Sequence, residues 1–439
     1  MSSQFRRGAC PGLSDPMPTG DGLLARLYLD HPDIQPANLI HILQSATQHG
    51  SGFVEVTSRG NLQIRGLTEH SARLLEQDVQ TTGLEYGGLP ITVNPLAGID
   101  ADEIADPLPV IRSVRQALSS DLRNRLAPKV SIVVDGGGQL PLDRVSSDIR
   151  LTAVESGADP VWLVAIGGHA VNARPVGRVR SSAAADTVIN LLERIAAKGH
   201  DARGRDLEQI DLLSLADQPL SGNGIENRQM ASPVGRFRQT GGLCAIGVAL
   251  EFGVCKADLL IRLLERIEEI GAGSVRLVAG RAIVVLSLSG SKADRLRQAA
   301  DDLGFIVGAD DPRLSVSACA GAPFCASAHF ATRKLARQLV DAAGPLLDGS
   351  FVLHVSGCAK RCADPSGPQV AIVGVPGSCE MRRELGDGKQ SGFQLRENQL
   401  PAIFFAASEQ FVRSSKPFKC AKEFLDAMPV NQLSAQPVE

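Results

Sequence analysis

The sequence predicts an α+β protein built from an internal duplication, and three observations support this fold class. Shifting the 439-residue chain by 220 or 221 positions brings its two halves into correspondence. Within each half, stretches with helical periodicity alternate with short strand-like stretches. The chain is also longer than one ordinary core needs, because domains average roughly 150 residues. We therefore expect a small domain and a larger lobe, each present twice.

The two halves correspond in their pattern of apolar residues rather than in identity. GLLARLYL from Gly22 aligns with GLCAIGVA from Gly242, and ANLIHIL from Ala37 aligns with ADLLIRL from Ala257. One extra residue then moves the offset to 221, which it keeps afterwards. At that offset the aligned pairs are 52–67 with 273–288, VSIVVDG (130–136) with FVLHVSG (351–357), and DIRLTAV (148–154) with QVAIVGV (369–375).

Each half begins with the order strand, helix, strand, strand, helix, which is that of a split βαβ, ferredoxin-like domain. The apolar face of its first helix is predicted to carry Leu39, Ile40 and Leu43, or in the copy Leu259, Leu260 and Leu263. A larger α/β lobe follows, with buried strands such as VWLVAIGG (161–168) and a Pro, Gly and Asn-rich linker at 216–230. The predicted domains are a tail (1–17), ferredoxin-like half 1 (18–86), lobe 1 without cluster cysteines (87–220), ferredoxin-like half 2 (228–308) and lobe 2 with the cluster (309–439).

Composition excludes several classes of function. The chain is 44% hydrophobic and 21% charged, which is typical of a folded protein and far from disorder. A net charge of -3 gives no global attraction to nucleic acid or to an anionic membrane. We find neither a signal peptide at the N-terminus nor a run of eighteen apolar residues. We therefore expect a cytoplasmic protein.

The nine cysteines point to metal or redox chemistry, because an odd count without a secretion signal argues against a disulfide framework. Four of them form CxxxxxC and CxxxC motifs in lobe 2, at Cys319, Cys325, Cys358 and Cys362. The repeat offset carries these positions to Gly98, Ile104, Gly137 and Pro141 in lobe 1. One copy therefore kept a thiol site, as expected if the two halves together enclose a single large ligand.

Thiolates select zinc or iron-sulfur clusters. Structural zinc sites favour two to four residues between paired cysteines, and the five-residue gap here contains Pro323. A [4Fe-4S] cluster accommodates wider spacing, so we expect a cluster and keep zinc as the alternative. Lys360 and Arg361 lie between the last two cysteines and are expected to tune the potential of a negatively charged cluster.

The arrangement SACAGAPFCAS followed by VSGCAKRCADP resembles the sulfite and nitrite reductase superfamily. That resemblance implies a nitrite/sulfite reductase-like architecture over nearly the whole chain. An acidic residue of the superfamily motif is replaced by Gln369 here. The opening RRGACPGLSDPMPTGDGLLARL resembles one branch, the aerobic cobalamin-pathway monooxygenases. This implies an O2-dependent enzyme that hydroxylates precorrin-3A at C20, with lactone formation by the ring-A acetate.

The resemblance also implies basic residues that bind the carboxylates of a tetrapyrrole. Arg26 fits the arginine of the first strand, Arg59 and Arg65 lie in TSRGNLQIR, and Lys129 fits the first lysine of a LysxLys pair. The second lysine of that pair is Ser131, and an arginine expected before Ile91 is Leu89 or Pro90. Losing these cations disfavours sulfite or nitrite as substrate, because such oxyanions require concentrated positive charge.

The remaining cofactors follow from the resemblance. It implies a mononuclear non-haem iron, whose ligands we do not assign although His329 and His354 lie near the cysteines in sequence. It also implies electrons from NADH, and the absence of a dinucleotide fingerprint indicates a separate reductase as partner. DGGGQ (135–139) matches no phosphate loop and is predicted to be a plain turn.

Three other functions remain open at this point. The first is a ferredoxin-dependent sirohaem sulfite or nitrite reductase. The others are a tetrapyrrole carrier without catalysis and a zinc-stabilised binding module. The catalytic residues, the oligomeric state and the roles of the other five cysteines are not determined by the sequence.

Overall fold

The computed structural model describes residues 11–208, 228, 231–365, 367–386, 391–414 and 418–428. The chain divides into two compact units. The first consists of the described residues within 11–17 and 24–307. The second consists of the described residues from Gly308 onward with the short segment Pro18–Leu23. No helix in the described part of the chain is long and apolar enough to cross a membrane.

Both units contain strands and helices. The strands are β1 (Met17–Thr19), β2 (Gly22–Leu27), β3 (Phe53–Val56), β4 (Leu62–Leu67), β5 (Ile91–Val93), β6 (Ile132–Asp135), β7 (Ser147–Glu155), β8 (Val161–Gly168), β9 (Arg174–Arg180), β10 (Gly235–Arg238), β11 (Cys244–Ala249), β12 (Val254–Lys256), β13 (Val275–Val278), β14 (Ala282–Leu288), β15 (Val316–Ala318), β16 (Val352–Ser356), β17 (Gln369–Val375), β18 (Ser378–Glu384) and β19 (Ser391–Leu395). The helices are α1 (Pro36–His49), α2 (Glu69–Thr81), α3 (Leu108–Ala117), α4 (Ser120–Arg125), α5 (Ser181–Ala197), α6 (Ala257–Ile270), α7 (Gly290–Asp302), α8 (Thr332–Ala343), α9 (Leu400–Arg413) and α10 (Ala421–Ala427).

Two small sheets carry the predicted order of elements. One sheet has the strand order β1-β2-β4-β3-β12 and the other β10-β11-β14-β13. Helices α1 and α2 belong to the first copy of the pattern, and α6 and α7 belong to the second. The sequence did not predict β12. This strand lies in the second copy of the pattern but joins the sheet of the first copy, where it pairs antiparallel with β3 and Cys255 lies opposite Val54.

The two larger sheets have the same topology. Their strand orders are β5-β6-β7-β8-β9 in the first unit and β15-β16-β17-β18-β19 in the second. In each sheet, the first three strands pair in parallel. The fourth strand pairs antiparallel with the third, and the fifth pairs antiparallel with the fourth. The predicted α+β fold with an internal duplication is therefore confirmed, and the segment 161–168 is the buried strand β8.

The apolar faces of the first helices differ from the prediction by one position. In α1 the buried residues include Leu39, Ile42 and Leu43, whereas Ile40 is only half-buried. In α6 the buried face includes Leu260, Leu263, Leu264 and Ile267, and Leu259 is half-buried. The spacings i, i+3, i+4 and i+7 define one face of a helix with 3.6 residues per turn. A residue next to Leu39 or Leu260 is rotated about 100° away from that face.

The predicted domain boundaries stay predictions. The linker 216–230 lies outside the described residues apart from Arg228, and the tail 1–17 is described only from Pro11. The last eleven residues of lobe 2 also lie outside them.

Candidate functional site

The second unit brings the four cysteines to one edge of its sheet. Cys319 directly follows β15, and Cys358 and Cys362 follow β16. These strands are parallel neighbours, so their carboxyl ends meet at the same edge. The backbone N–H of Cys319 donates to the carbonyl of Val355 at 3.1 Å, which joins the two cysteine segments. Cys325 lies in the loop between β15 and α8.

Glycines allow the cysteine loops to approach one another closely. The N–H of Gly357 donates to Cys319 Sγ at 3.2 Å, a contact suited to a thiolate. A Cβ at Gly357 would lie 2.6 Å from Ala328 Cβ. A Cβ at Gly20 would lie 2.5 Å from the backbone nitrogen of Ala326, next to Cys325. Residues larger than glycine would therefore push these loops apart.

The other three thiols of the motif act electrostatically on Cys362. The pKa of the Cys362 thiol is raised, first by burial and then by the neighbouring Cys319, Cys358 and Cys325, while Lys360 opposes the shift. This holds although Cys362 is the most exposed of the four residues. Four thiolates in one region repel one another, and a cationic metal centre would remove that repulsion. The donor set and its setting therefore suit an iron-sulfur cluster bound by all four side chains.

The two cations of the CAKRC segment have different surroundings. Both Nη atoms of Arg361 donate to Glu384, each at 2.8 Å, and Nη2 also donates to Asp364 at 3.0 Å. The charge of Arg361 is thus balanced by two carboxylates. Through Glu384, Arg361 links the turn between Cys358 and Cys362 to β18. Lys360 Nζ donates to Ser327 Oγ at 3.0 Å. The charge of Lys360 acts on Cys362, where it opposes the rise of the thiol pKa.

The implied mononuclear iron has no ligand set among the described residues. No three His, Cys, Asp or Glu side chains there converge on a position for a single metal ion. We therefore assign no residue to that iron.

His354 is a buried residue of β16, the strand that precedes Cys358 and Cys362. It is 0% exposed, and its Nδ1 lies 3.1 Å from Gln369 Oε1. Nε2 has no hydrogen-bond partner among the described residues. Burial is the main cause that lowers the pKa of His354 to about 4, partly opposed by Asp364. The resemblance leads one to expect an acidic residue at position 369. The amide of Gln369 at that position therefore contacts a neutral imidazole.

We expect His354 to make the second unit sensitive to acid. Between pH 6.5 and about 4 the unfolded chain binds a proton at this imidazole that the folded chain excludes. The contribution of the neutral His354 imidazole to the free energy of unfolding is therefore fully present above pH 6.5. It is lost as the pH drops, by about 3 kcal/mol in total. Urea unfolding at several pH values measures this loss. In His354→Leu the loss over the same window should be smaller by that amount, and an unchanged pH profile would contradict the assignment.

The first unit contains a polar cavity of about 250 Å³. Three of the four predicted carboxylate-binding residues, Arg26, Arg59 and Lys129, line it together. The fourth, Arg65, is 5% exposed and does not belong to the lining. The lining residues are Arg26, Tyr28, Leu29, Asp30, Arg59, Asn61, Leu89, Pro90, Ile91, Thr92, Arg115, Pro128, Lys129, Ser131 and Arg203.

The positions that depart from the superfamily pattern line this same cavity. Ser131, which replaces the second lysine, and Leu89 and Pro90, which replace the arginine, all belong to the lining. The cavity is thus less positive than the reductase pattern implies. Its apolar residues suit a ligand that carries carboxylates on a carbon skeleton better than a small oxyanion.

Two further arginines of the cavity were not predicted. Arg115 pairs with Asp30, and Arg203 donates to Asp148 with Nε at 2.9 Å and Nη2 at 2.8 Å. Both lie far from the motif turns in sequence, and no spacing rule identifies them. Their carboxylate partners balance their charges, so they shape the cavity wall.

The lobe 1 counterpart of the thiol site is filled by protein. Gly137 aligns with Cys358, and Ile104 aligns with Cys325. A Cβ added at Gly137 would lie 2.9 Å from the side chain of Ile104. The N–H of Gly98 donates to Glu103 Oε2 at 2.9 Å. Burial is the main cause that raises the pKa of Glu103 to about 8. In lobe 1 the position of Cys325 is therefore occupied by the apolar side chain of Ile104, and the half-buried carboxyl group of Glu103 precedes it in sequence.

DGGGQ (135–139) is a turn, as its sequence suggests. The N–H of Gly136 donates to Asn94 Oδ1 at 2.6 Å, and that of Gly137 donates to Asp135 Oδ1 at 2.9 Å. The N–H of Gln139 donates to Asp100 Oδ2 at 2.8 Å. These amides are engaged within the protein instead of forming a phosphate cradle.

The architecture has a counterpart of known structure. The NirA protein of Mycobacterium tuberculosis aligns with 94% of this chain and 84% of its own, with a TM-score of 0.78 and 18% sequence identity. A ferredoxin sulfite reductase of Mycolicibacterium paratuberculosis is 25% identical over 80% of this chain and 69% of its own length. A ferredoxin nitrite reductase of Synechococcus elongatus is 25% identical over 81% and 76%. No protein-family model matches the chain. The fold is that of the nitrite and sulfite reductases.

A nearer relative defines the branch. The precorrin-3B synthase of a Sinorhizobium species is 38% identical over 378 residues, which cover 85% of this chain and 82% of that protein. The chain belongs to the precorrin-3B synthase family. The assignment to the cobalamin-pathway branch, which the opening segment and the cysteine motifs suggested, is confirmed.

Proposed function

We propose that this protein is an O2-dependent monooxygenase that converts precorrin-3A to precorrin-3B in aerobic cobalamin biosynthesis. One oxygen atom enters at C20 as a hydroxyl group, and the ring-A acetate closes a lactone on the neighbouring carbon. The other oxygen atom leaves as water, with two electrons that originate from NADH and arrive through a separate reductase. The observation that carries the proposal is the 38% identity to a precorrin-3B synthase over most of both chains.

The four cysteines are the proposed ligands of a [4Fe-4S] cluster. When bound, the cluster would supply single-electron transfer. The protein's own contribution is to hold the thiols in the segments that follow two adjacent strands and to donate the Gly357 N–H to Cys319 Sγ. Lys360 adds a positive charge near Cys362, which favours the thiolate. Arg361 fixes the turn between Cys358 and Cys362 through Glu384.

The cavity cations are the proposed binding site for substrate carboxylates. Arg59 and Lys129 line it, and a guanidinium binds a carboxylate with two parallel hydrogen bonds. Arg26 is oriented by Gln63 Oε1 at 2.9 Å and by the Tyr28 hydroxyl at 3.0 Å. Binding several carboxylates of a macrocycle at fixed positions selects both the ligand and its orientation. Arg65, which is buried and outside the lining, is proposed to support this region rather than to touch the ligand.

Spectroscopy and turnover together test the proposal. Protein purified without oxygen should contain iron and acid-labile sulfide, lack intense sirohaem bands, and change the spectrum of added precorrin-3A only when oxygen and reductant are present. Intense sirohaem bands with reduction of sulfite or nitrite would establish the reductase alternative. Zinc without sulfide would establish the binding module, and tight binding without turnover would establish the carrier.

A further inference from the structure

The guanidinium of Arg59 is held in the cavity by two oxygen atoms of its own unit. Nη1 donates to Ser131 Oγ at 3.2 Å, and Nη2 donates to the carbonyl of Ser146 at 2.9 Å. Arg59 lies in the turn between β3 and β4, where its backbone bridges to Ala279. Two contacts on different nitrogens fix the plane of the guanidinium. That plane decides whether a carboxylate can be bound by two parallel hydrogen bonds.

Ser131 is itself rigidly placed. It is 2% exposed, its N–H donates to Asp148 Oδ2 at 2.9 Å, and its carbonyl accepts from the N–H of Asp148 at 2.9 Å. Asp148, 3% exposed, also accepts from Arg203 and from the N–H of Gly204 at 2.9 Å. A hydroxyl on such a support has little freedom, so it can orient the longer side chain that donates to it.

The residue type at 131 decides what Arg59 can do. Position 131 is where the superfamily pattern has a second lysine. An ammonium there would repel the guanidinium of Arg59 and could not accept its hydrogen bond. Serine removes one cation and supplies an acceptor instead.

We propose that Ser131 is a positioning residue that orients Arg59 to bind one carboxylate of a polycarboxylate tetrapyrrole. This inference rests on the proposed function, because it takes the cavity to be the carboxylate-binding site. It adds a specificity determinant: a serine in place of a lysine changes a site for small oxyanions into an oriented clamp for a carboxylate side chain.

A double-mutant cycle on binding tests the inference. The probe is uroporphyrin III, an octacarboxylate macrocycle, titrated into the full-length purified protein without oxygen and followed by fluorescence. Ser131→Ala should weaken binding about tenfold, the size expected for one hydrogen bond to a charged group. Arg59→Met should weaken it more. In the Arg59→Met background, Ser131→Ala should have no further effect, because the side chain it positions is gone.

Two controls accompany the cycle. Ser45→Ala removes another buried serine that donates to a charged group, Asp78 at 2.5 Å, outside the cavity lining. Its affinity should equal that of the unchanged protein. Ser131→Cys keeps a side chain of the same shape, slightly larger and with a poor acceptor, and should show the same coupling as Ser131→Ala, so a folding defect of one variant does not decide the result.

The outcomes separate this inference from the proposed function. Equal losses on Ser131→Ala in both backgrounds would overturn the positioning role, even if precorrin-3A is turned over. Failure of the unchanged protein to bind uroporphyrin III would overturn it as well. Coupling without oxygen-dependent turnover would support the role of Ser131 and contradict only the monooxygenase assignment.

Discussion

Cys358→Ser is expected to abolish the cluster and with it the oxygen-dependent reaction. A cluster bound by four thiolates loses one ligand, and the hydroxyl of serine is a much poorer ligand for iron at neutral pH. We expect iron and sulfide to fall well below one cluster per chain and turnover to fall by at least about 100-fold, since a missing metal centre removes its chemistry. Iron and sulfide analysis with electron paramagnetic resonance of the reduced protein measures this change.

Cys420→Ser is the matched control in the same unit. Cys420 precedes α10 as its N-cap residue, a position that serine fills well. This variant should retain full iron, sulfide and activity. A Cys358→Ser protein with unchanged iron and sulfide content would contradict the assignment of the four ligands.

Arg59→Met is expected to lower kcat/KM for precorrin-3A by about 10- to 100-fold. The variant loses a guanidinium that two oxygens orient toward the cavity, and hydrogen bonds to charged groups contribute about 1.5–3 kcal/mol. Arg59→Lys should recover only part of the loss, because an ammonium keeps the charge without the fork geometry. Steady-state kinetics at saturating oxygen and reductant give these values.

Arg178→Met is the matched control for charge removal. Arg178 lies on β9 of the same unit, pairs with Glu155 at 3.2 Å, and does not line the cavity. Its kcat/KM should stay within about twofold, as is usual for an arginine whose ion pair is at the surface. Equal losses in both variants would show that the effect reports net charge rather than the cavity.

The repeat explains why the gross fold and the thiol site were predictable. Matching segments 221 residues apart define the two large sheets, and the cysteines follow two neighbouring parallel strands. Parallel neighbours bring such positions together whatever the rest of the chain does. Arg26, Arg59 and Lys129 also line one cavity, and each lies within or close to a strand of the repeat: Arg26 in β2, Arg59 in the turn after β3, and Lys129 just before β6.

The sequence could not predict the surroundings of side chains whose contacts are distant along the chain. Arg65 lies on β4, where Leu62, Gln63 and Ile64 are buried as well, so strand alternation could not show that its side chain leaves the cavity. Arg361 is expected to tune the potential of the cluster, and the sequence could not show that it also pairs with Glu384, 23 residues later on β18. Pairings of that kind depend on sheet register, which a single sequence leaves open.

Incorporation of isotopically labelled dioxygen tests the central claim most directly. The full-length protein, loaded with its cluster and supplied with NADH and a reductase, would convert precorrin-3A under the heavy isotope, and mass spectrometry would follow the product. We predict one labelled oxygen atom per product molecule, located in the C20 hydroxyl, and the unlabelled ring-A acetate in the lactone. A product whose added oxygen comes from water, or an unchanged precorrin-3A, would contradict the monooxygenase assignment.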